Sequence, residues 1–274
     1  MKNEKHLLGI SLIEDSPVPY EEQIKIFKAV GFDCFFVYHY RSDDPIALYR
    51  ETADKVGIQF ETIHGPFFGE GDVNHLWLDD VRGEQVLSFH MDRLQACIDF
   101  DVPKYIMHTT IGITPPEISQ IGIDRFKKLA DHAANHGVKL CFENLEPFPH
   151  LHCIMKEIPD YHGFCWDVGH NLCYSPHVDM MGLYGNRLLC THIHDNWGVT
   201  RPGFIECRDD KHLLPFDGTM DWSYVAGKIK ASGYTGPLTL ELAFKGKESY
   251  SAMAFADYVQ EAYNRVVKLR ELCE

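Results

Sequence analysis

The chain has 274 residues, 45% hydrophobic and 24% charged, which is an ordinary globular composition and excludes disorder over the whole length. Lys and Arg number 26 against 40 Asp and Glu, and the net charge of −14 argues against binding to long nucleic acids because a phosphate backbone repels an acidic surface. The longest apolar runs, such as Cys34–Tyr38, are far shorter than the roughly 18 residues that a membrane span requires.

Eight short apolar runs, spread along the whole chain, predict β-strands. Their cores are rich in Ile, Val, Phe and Tyr, as expected of parallel strands that are buried on both faces. The predicted strands are Leu7–Leu12, Asp33–Tyr38, Gln59–Ile63, Lys104–Met107, Val138–Phe142, Gly163–Trp166, Leu188–Ile193 and Pro237–Leu242.

Segments with helical spacing of apolar residues lie between these strands. The alternation of strands and helices favours a single-domain (β/α)8 TIM barrel over residues 1–274. A doubly wound sheet is disfavoured because no GxGxxG motif follows the first strand. The predicted helices are Tyr20–Val30, Pro45–Val56, Arg82–Phe100, Pro116–His136, Val178–Tyr184, Asp221–Ala231 and Ser249–Leu272.

Six successive predicted strands lead into a side chain that can bind a metal ion or carry a proton. Because all strands of a parallel barrel point their carboxyl ends at one face, we expect these side chains to meet at one mouth. Three further candidates follow the sixth and seventh strands, namely His170, Asp210 and His212. The six strand-end residues are His64, His108, Glu143, Asp167, His192 and Glu241.

Four carboxylates in one mouth require a counter-charge. Glu143, Asp167, Asp210 and Glu241 would repel one another strongly without a cation between them. Imidazoles and carboxylates together are a ligand set that suits Zn²⁺ and Mn²⁺. The sequence therefore predicts a divalent metal site.

This strand-end series resembles the xylose isomerase-like TIM barrels over nearly the whole chain. That family contains sugar isomerases and epimerases of the tagatose 3-epimerase type and AP endonucleases of the endonuclease IV type. The motifs that carry the resemblance are His64-Gly65-Pro66, Phe142-Glu143-Asn144, Trp166-Asp167-Val168-Gly169-His170, His192-Ile193-His194-Asp195-Asn196, Asp210-Lys211-His212 and Leu240-Glu241.

The resemblance implies one of two ligand sets. In the epimerase branch one metal ion is held by Glu143, Asp167, His192 and Glu241, and the two glutamates exchange protons on opposite faces of the sugar. In the endonuclease IV branch up to three zinc ions are held by nine residues, His64, His108, Glu143, Asp167, His170, His192, Asp210, His212 and Glu241. This nine-residue set also resembles proteins described only as sugar phosphate isomerase/epimerase, so the ligands leave the branch open.

Two reactions follow from these alternatives. The first is isomerisation or epimerisation of a sugar or sugar phosphate, in which a metal-stabilised enediolate forms and Glu143 and Glu241 act as base and acid. The second is phosphodiester hydrolysis at three zinc ions. Three Zn²⁺ against four ligand carboxylates leave a charge of about +2, which attracts phosphate, whereas one ion with three carboxylates leaves about −1, which suits a neutral sugar. A binding scaffold with a disabled site is disfavoured, because all the expected acids and imidazoles are present.

Several further expectations concern the surroundings of the site. We expect a small-molecule carbohydrate as the partner, a cytoplasmic location, no membrane contact, and a homo-oligomer as one assembly that the acidic surface allows. The charged start, Met1–His6, does not have a signal-peptide pattern. The nine cysteines form no CxxC pair and are expected to be reduced. Substrate contacts are predicted for His194, Phe67, Trp197 and Arg208, and Phe68 and Trp77 are expected on loops at the mouth.

Overall fold

Eight parallel strands form a barrel in the computed structural model, which describes residues 5–146 and 148–274. Strands β1 to β7 are hydrogen-bonded in sequence order, and β8 lies beside β1. The predicted TIM barrel is therefore confirmed. The strands are β1 Leu8–Ser11, β2 Cys34–Tyr38, β3 Gln59–His64, β4 Lys104–His108, β5 Lys139–Glu143, β6 Gly163–Asp167, β7 Leu188–His192 and β8 Leu238–Leu240.

The barrel closes between β7 and β8 through a short parallel contact at the mouth. The Ile193 N–H donates to the Thr239 carbonyl at 2.9 Å, and the Glu241 N–H donates to the Ile193 carbonyl at 3.2 Å. This contact fixes Glu241, the residue directly after β8, against the end of β7.

Helices surround the barrel, and most match the predicted ones to within a few residues. The short α5 and α6 were not predicted. The predicted helix from Pro116 begins at Gln120, because Ser119 Oγ caps it by accepting the Gly122 N–H at 3.2 Å. The helices are α1 Tyr20–Val30, α2 Ile46–Val56, α3 Val81–Asp99, α4 Gln120–Asn135, α5 His150–Glu157, α6 Val168–Tyr174, α7 Met180–Tyr184, α8 Trp222–Ser232, α9 Glu248–Ser251 and α10 Phe255–Cys273.

The prediction of one continuous final helix, Ser249–Leu272, is wrong. The segment is divided into α9 and α10, with a break after Ser251. The reason is a tertiary contact, because the buried Tyr250 turns inward and donates its hydroxyl to Asp217 at 2.7 Å. None of the helices in the described part of the chain is long and apolar enough to cross a membrane.

The barrel interior below the mouth is small and apolar. Side chains two residues apart on a strand share a face, so the residues that precede the strand-end ligands by two also point inward. These residues, Ile106, Cys141, Cys165 and Cys190, form one buried cluster, and all three cysteines are free thiols as expected. The larger core lies between the barrel and the helices. The charged start, Met1–His6, was predicted not to have a signal-peptide pattern, and residues 1–4 of it lie outside the described residues.

Candidate metal centre

Four side chains from the last four strands meet at the centre of the mouth. In the strand register, Asp167 lies beside His192, and Glu143 lies one strand further along. His192 Nδ1 is 3.2 Å from a carboxylate oxygen of Glu143 and 3.2 Å from one of Glu241. One ligand atom from each of Glu143, Asp167, His192 and Glu241 lies within 4.8 Å of the others, and we call these four residues the central cluster.

The central cluster contains buried polar atoms that lack hydrogen-bond partners among the described residues. They are Glu143 Oε1, Glu241 Oε2 and both ring nitrogens of His192. All three side chains are at most 5% exposed. Buried polar atoms normally have hydrogen-bond partners. Several oxygen and nitrogen atoms without such partners that converge on one point fit the ligand set of a divalent cation. The central cluster therefore has the chemistry of a metal site.

A second group shares Glu143 with the central cluster. His64 Nε2 lies 3.0 Å from Glu143 Oε2, and His108 Nε2 lies 3.9 Å from the same oxygen. Ligand atoms of His64, His108 and Glu143 all lie within 4.8 Å of one another. The second carboxylate oxygen of Glu143 thus faces a different set of ligands from the first.

A third group lies beside Asp210. His170 Nε2 and His212 Nε2 are each 3.1 Å from Asp210 Oδ2. His194 joins this group, since its Nδ1 lies 4.0 Å from Asp210 Oδ1 and its ring stacks on that of His212 with centroids 3.9 Å apart. Together the three groups contain all nine residues of the larger predicted ligand set.

Burial and neighbouring charges set the protonation of these groups. Burial raises the pKa of Glu143, but the imidazoles of His192 and His108 outweigh it and hold that pKa well below its ordinary value. Asp210 behaves in the same way beside His212 and His170, which lower its pKa. Burial lowers the pKa of His108 to about 3, so its ring is neutral at pH 7. Ionised carboxylates and neutral imidazoles are the forms that bind metal ions. Burial lowers the pKa of His192, but Glu143 and Glu241 outweigh it and hold that pKa well above its ordinary value, so this ring would release a proton when an ion binds.

Tyr38 is a site residue that the sequence interpretation missed. Its hydroxyl donates to Glu241 Oε1 at 2.6 Å, while Glu241 Oε2 faces His192. Burial raises the pKa of Tyr38 well above its ordinary value, so the hydroxyl keeps its proton and remains a donor. The signal was available, because Tyr38 ends β2 in the same way that His64 ends β3.

A cavity of about 550 Å³ opens above the ligand groups. Its walls combine aromatic rings with carboxylates that are not part of the predicted ligand set. The Lys and Arg residues of the described chain are absent from its lining. The carboxylates of this wall are Glu14, Asp15 and Glu146, and its aromatic residues include Tyr40, Phe67 and Tyr174.

The structure places the predicted substrate contacts at different depths. Phe67 lines the cavity and meets the His108 ring edge-on at 4.8 Å. His194 is fully buried beneath the cavity, where Nε2 bonds to Asp167 at 3.0 Å. Trp197 is 48% exposed outside the cavity lining, and the exposed Arg208 pairs with Glu206 at 2.5 Å.

Phe68 and Trp77, the two other aromatic residues expected at the mouth, differ in their exposure to solvent. Phe68 is exposed and packs on Tyr40, which lines the cavity. Trp77 lies in the loop after β3 but does not line the cavity. It is buried against Phe126 and His150, and its indole N–H donates to the carbonyl of Thr109, the residue after β4, at 2.8 Å.

Comparison with known proteins places the chain in a defined group. A family model described as xylose isomerase-like TIM barrel matches residues 24–258. The uncharacterized protein y4fM of Sinorhizobium fredii is 24% identical over 264 residues, which cover 84% of this chain and 80% of that protein. The uncharacterized protein MJ1311 of Methanocaldococcus jannaschii is 24% identical over 222 residues, with 74% and 71% covered.

Solved structures share the fold at low sequence identity. A D-psicose 3-epimerase from Clostridium cellulolyticum H10 superposes with a TM-score of 0.76 at 18% identity, over 99% of this chain and 100% of the other. A D-tagatose 3-epimerase-like protein gives 0.70 at 20% identity, over 95% and 99%. The IOLI protein with a bound zinc atom gives 0.74 at 16% identity, over 97% and 98%. At these identities the likeness concerns the fold.

Proposed function

This chain belongs to the xylose isomerase-like TIM barrel family, and from that premise we propose that it is a divalent-metal-dependent isomerase or epimerase of a sugar or sugar phosphate. The observation that carries the proposal is the position of the two glutamates. Glu143 and Glu241 both lie 3.2 Å from His192 Nδ1, and both line the same cavity. Two carboxylates that flank one substrate position can remove and return a proton.

The residues of the site would have separate roles in this reaction. Glu143, Asp167, His192 and Glu241 would hold the ion. A bound divalent ion polarises a carbonyl and its neighbouring hydroxyl and makes the adjacent C–H more acidic. One glutamate then takes the proton from carbon, and the other returns a proton to the opposite face for epimerisation or to the neighbouring carbon for isomerisation. Substrate and product have the same composition, so the reaction needs no oxidant or reductant.

Tyr38 would keep the two oxygens of Glu241 in different roles. Its hydroxyl donates to Oε1, so the unpaired Oε2 would be the oxygen available to the ion and to the substrate proton. Phe67 and Tyr40 supply apolar surface at the cavity wall, which suits the C–H side of a sugar ring and excludes water from the proton transfer.

A second candidate function is a trinuclear zinc phosphodiesterase of the endonuclease IV type. The three ligand groups that share or adjoin Glu143 favour it. The cavity wall does not, because Glu14, Asp15 and Glu146 add three carboxylates to the four in the ligand set. When these are ionised, the charge at three Zn²⁺ ions falls from about +2 to about −1, which repels a phosphodiester. The same charges favour an unphosphorylated sugar over a sugar phosphate in the first candidate.

Elemental analysis and isotope exchange test the proposal. The metal-exchanged protein is incubated in heavy water with the keto sugars for which the neighbouring epimerases are named, D-psicose and D-tagatose, and with D-fructose. Deuterium uptake at carbon, dependent on one exchangeable divalent ion, supports the isomerase or epimerase. Three tightly bound zinc ions together with cleavage of an abasic-site oligonucleotide would reverse the order of the two candidates.

A further inference from the structure

A second pocket, which we call the rim groove, adjoins the cavity. It is lined by two segments, residues 172–177 and 198–205, and has a volume of about 460 Å³. The first segment includes the end of α6, which follows β6, and the second belongs to the long loop after β7. Both therefore lie at the same end of the barrel as the metal ligands.

The rim groove and the cavity share a wall. Tyr174 lines both, and Cys207, two residues after the groove residue Ile205, lines the cavity. Tyr174 lies one helical turn after His170, with their rings 5.5 Å apart. The two pockets are therefore neighbours across Tyr174, and a ligand that occupies both must cross this side chain.

The rim groove differs from the cavity in chemistry. It has apolar walls, and among the described residues His177 is the one titratable nitrogen base in its lining, which contains no Asp, Glu, Lys or Arg. The apolar walls are formed by Leu172, Pro176, Val199, Phe204 and Ile205. Its volume lies in the range of pockets that bury small ligands. The adjoining cavity, by contrast, is lined by several carboxylates.

An exposed aromatic residue lies at the edge of the rim groove. Phe204 is 53% exposed, and the guanidinium of Arg201 lies over one face of its ring at 3.6 Å from the centroid. Covering this ring together with the apolar walls beside it removes apolar surface from water, which favours binding of an apolar group.

The loop that forms the groove is held in place without a ligand. The Thr200 N–H donates to Asp209 at 2.9 Å, and the Lys211 N–H donates to Asn196 Oδ1 at 2.6 Å. Asp195 fixes the far end, because it accepts the Met220 N–H at 3.0 Å. A preformed groove costs a ligand little ordering entropy on binding.

We propose that the substrate is a sugar that carries an apolar aryl or alkyl substituent, which lies in the rim groove while the reacting carbonyl and hydroxyl lie in the cavity. This inference rests on the proposed function and narrows its substrate class. The substituent takes no part in the proton transfer and stays bonded to the sugar. Its role is to add binding energy and to fix which sugar carbon faces Glu143 and Glu241.

Calorimetry with paired sugar ethers tests the rim groove. The metal-loaded protein is titrated with the 6-O-methyl and 6-O-phenyl ethers of D-psicose, D-tagatose and D-fructose, so that each pair differs only in the substituent and keeps the carbonyl and its neighbouring hydroxyl free. We expect at least one phenyl ether to bind tenfold or more tightly than its methyl partner. Equal affinity within every pair, including no binding by either member, overturns the inference.

Variants locate the phenyl group. Phe204→Ser removes the exposed wall, Ile205→Trp fills the groove, and Leu183→Ser, at an exposed leucine outside the groove, is the control. The phenyl advantage should fall at least threefold in the first two variants and persist in the control. An advantage that survives both groove variants overturns the inference.

Sedimentation distinguishes a ligand groove from a subunit interface. Deuterium uptake shows whether a failed prediction concerns the groove or the proposed reaction. If Phe204→Ser changes the sedimentation of the protein but not its affinity for the sugar ethers, the groove is an interface between copies and the inference fails. Deuterium uptake is measured independently. Loss of the phenyl advantage with deuterium uptake intact rejects only the groove, whereas a phenyl advantage without any deuterium uptake rejects only the proposed reaction.

Discussion

The two proposed catalytic glutamates are held by different neighbours. Glu143 lies between imidazoles, with His64 3.0 Å from one oxygen and His192 3.2 Å from the other. Glu241 lies between His192 and the Tyr38 hydroxyl. The two carboxylates therefore have different hydrogen-bond neighbours, although neighbouring imidazoles hold the pKa of both well below its ordinary value.

Replacing either glutamate by its amide should stop turnover. Glu143→Gln and Glu241→Gln each keep the shape of the side chain but remove the base, and general acid–base catalysis is worth about 10²–10⁴ in rate. We expect kcat for deuterium uptake to fall by that factor. Glu157→Gln, at a surface pair with Lys127, is the matched control. Wild-type rates in either cavity variant would reject the two-carboxylate mechanism.

Tyr38→Phe should weaken catalysis more than substrate binding. A hydrogen bond to a charged group is worth about 1.5–3 kcal/mol, and without it Glu241 Oε1 is free to compete for the ion. We expect kcat to fall about tenfold or more with KM little changed, and the metal dissociation constant to change as well. Tyr161→Phe, at an exposed tyrosine, is the control. An unchanged kcat and metal affinity would show that Tyr38 does not position Glu241.

The turn from β6 into α6 joins two of the ligand groups. Asp167 belongs to the central cluster and also caps α6, because its Oδ1 accepts the His170 N–H at 2.6 Å. His170 belongs to the group around Asp210. Gly169, between them, permits the close approach of His194, since a Cβ at this position would overlap the His194 ring.

Gly169→Ala should therefore disturb the site through a single methyl group. We expect His194 to move away from Asp167, unfolding free energy to fall by about 1–3 kcal/mol, and metal affinity to fall with it. Gly227→Ala, in α8, is the matched control, because no atom lies within 4 Å of the added Cβ. Equal melting temperatures and metal affinities for the two variants would contradict the packing argument.

The strands and the meeting of the strand-end side chains were predictable from the sequence for the same reason. The apolar runs end where the parallel strands end, so the apolar pattern alone places the strand-end residues from His64 to Glu241 at one mouth. The helix α6 was missed because seven residues are too few to show a helical period. The division of α9 from α10 depends on Tyr250 reaching Asp217, a contact between residues distant in sequence.

Contacts made by loops could not be predicted in the same way. Nothing in the pattern around Phe204 shows that the loop after β7 folds beside Tyr174 to form a groove. Likewise, His194 and Trp197 are three residues apart in sequence, yet one is fully buried and the other is half exposed. Their positions follow from the hydrogen bonds of Asp195 and Asn196 within the folded loop.

At the level of the whole molecule, one buried histidine outside the site should make stability depend on pH. His90 is fully buried, with Nδ1 2.9 Å from the Tyr105 hydroxyl, and burial lowers its pKa to about 4. The unfolded chain, with a pKa of about 6.5, binds this proton at a higher pH than the folded one. Stability therefore rises with pH between about 4 and 6.5 and is lost on acidification.

The effect of His90 is measured as a difference between proteins. At one pKa unit per 1.36 kcal/mol, acidification from pH 7 to about 4 should remove about 3 kcal/mol from the wild type that His90→Gln does not lose. Urea unfolding of both proteins in the presence of a chelator gives the comparison. If the stability difference between them is the same at pH 7 and pH 4.5, His90 does not titrate as its burial requires.

Metal binding should stabilise the entire barrel, because the ligands come from strands β3 to β8 and their loops. Removing the ion leaves the carboxylates of Glu143, Asp167 and Glu241 buried together, and a ligand at 100 times its dissociation constant adds about 2.7 kcal/mol to the folded state. For a chain of this length we expect chelation to lower the melting temperature by about 5–10 °C. Re-addition of Zn²⁺ or Mn²⁺ should restore it. In Asp167→Asn the shift should shrink, since one charged ligand is lost. A melting temperature that is unaffected by chelation and by added metal would mean that the three ligand groups are held together by hydrogen bonds alone.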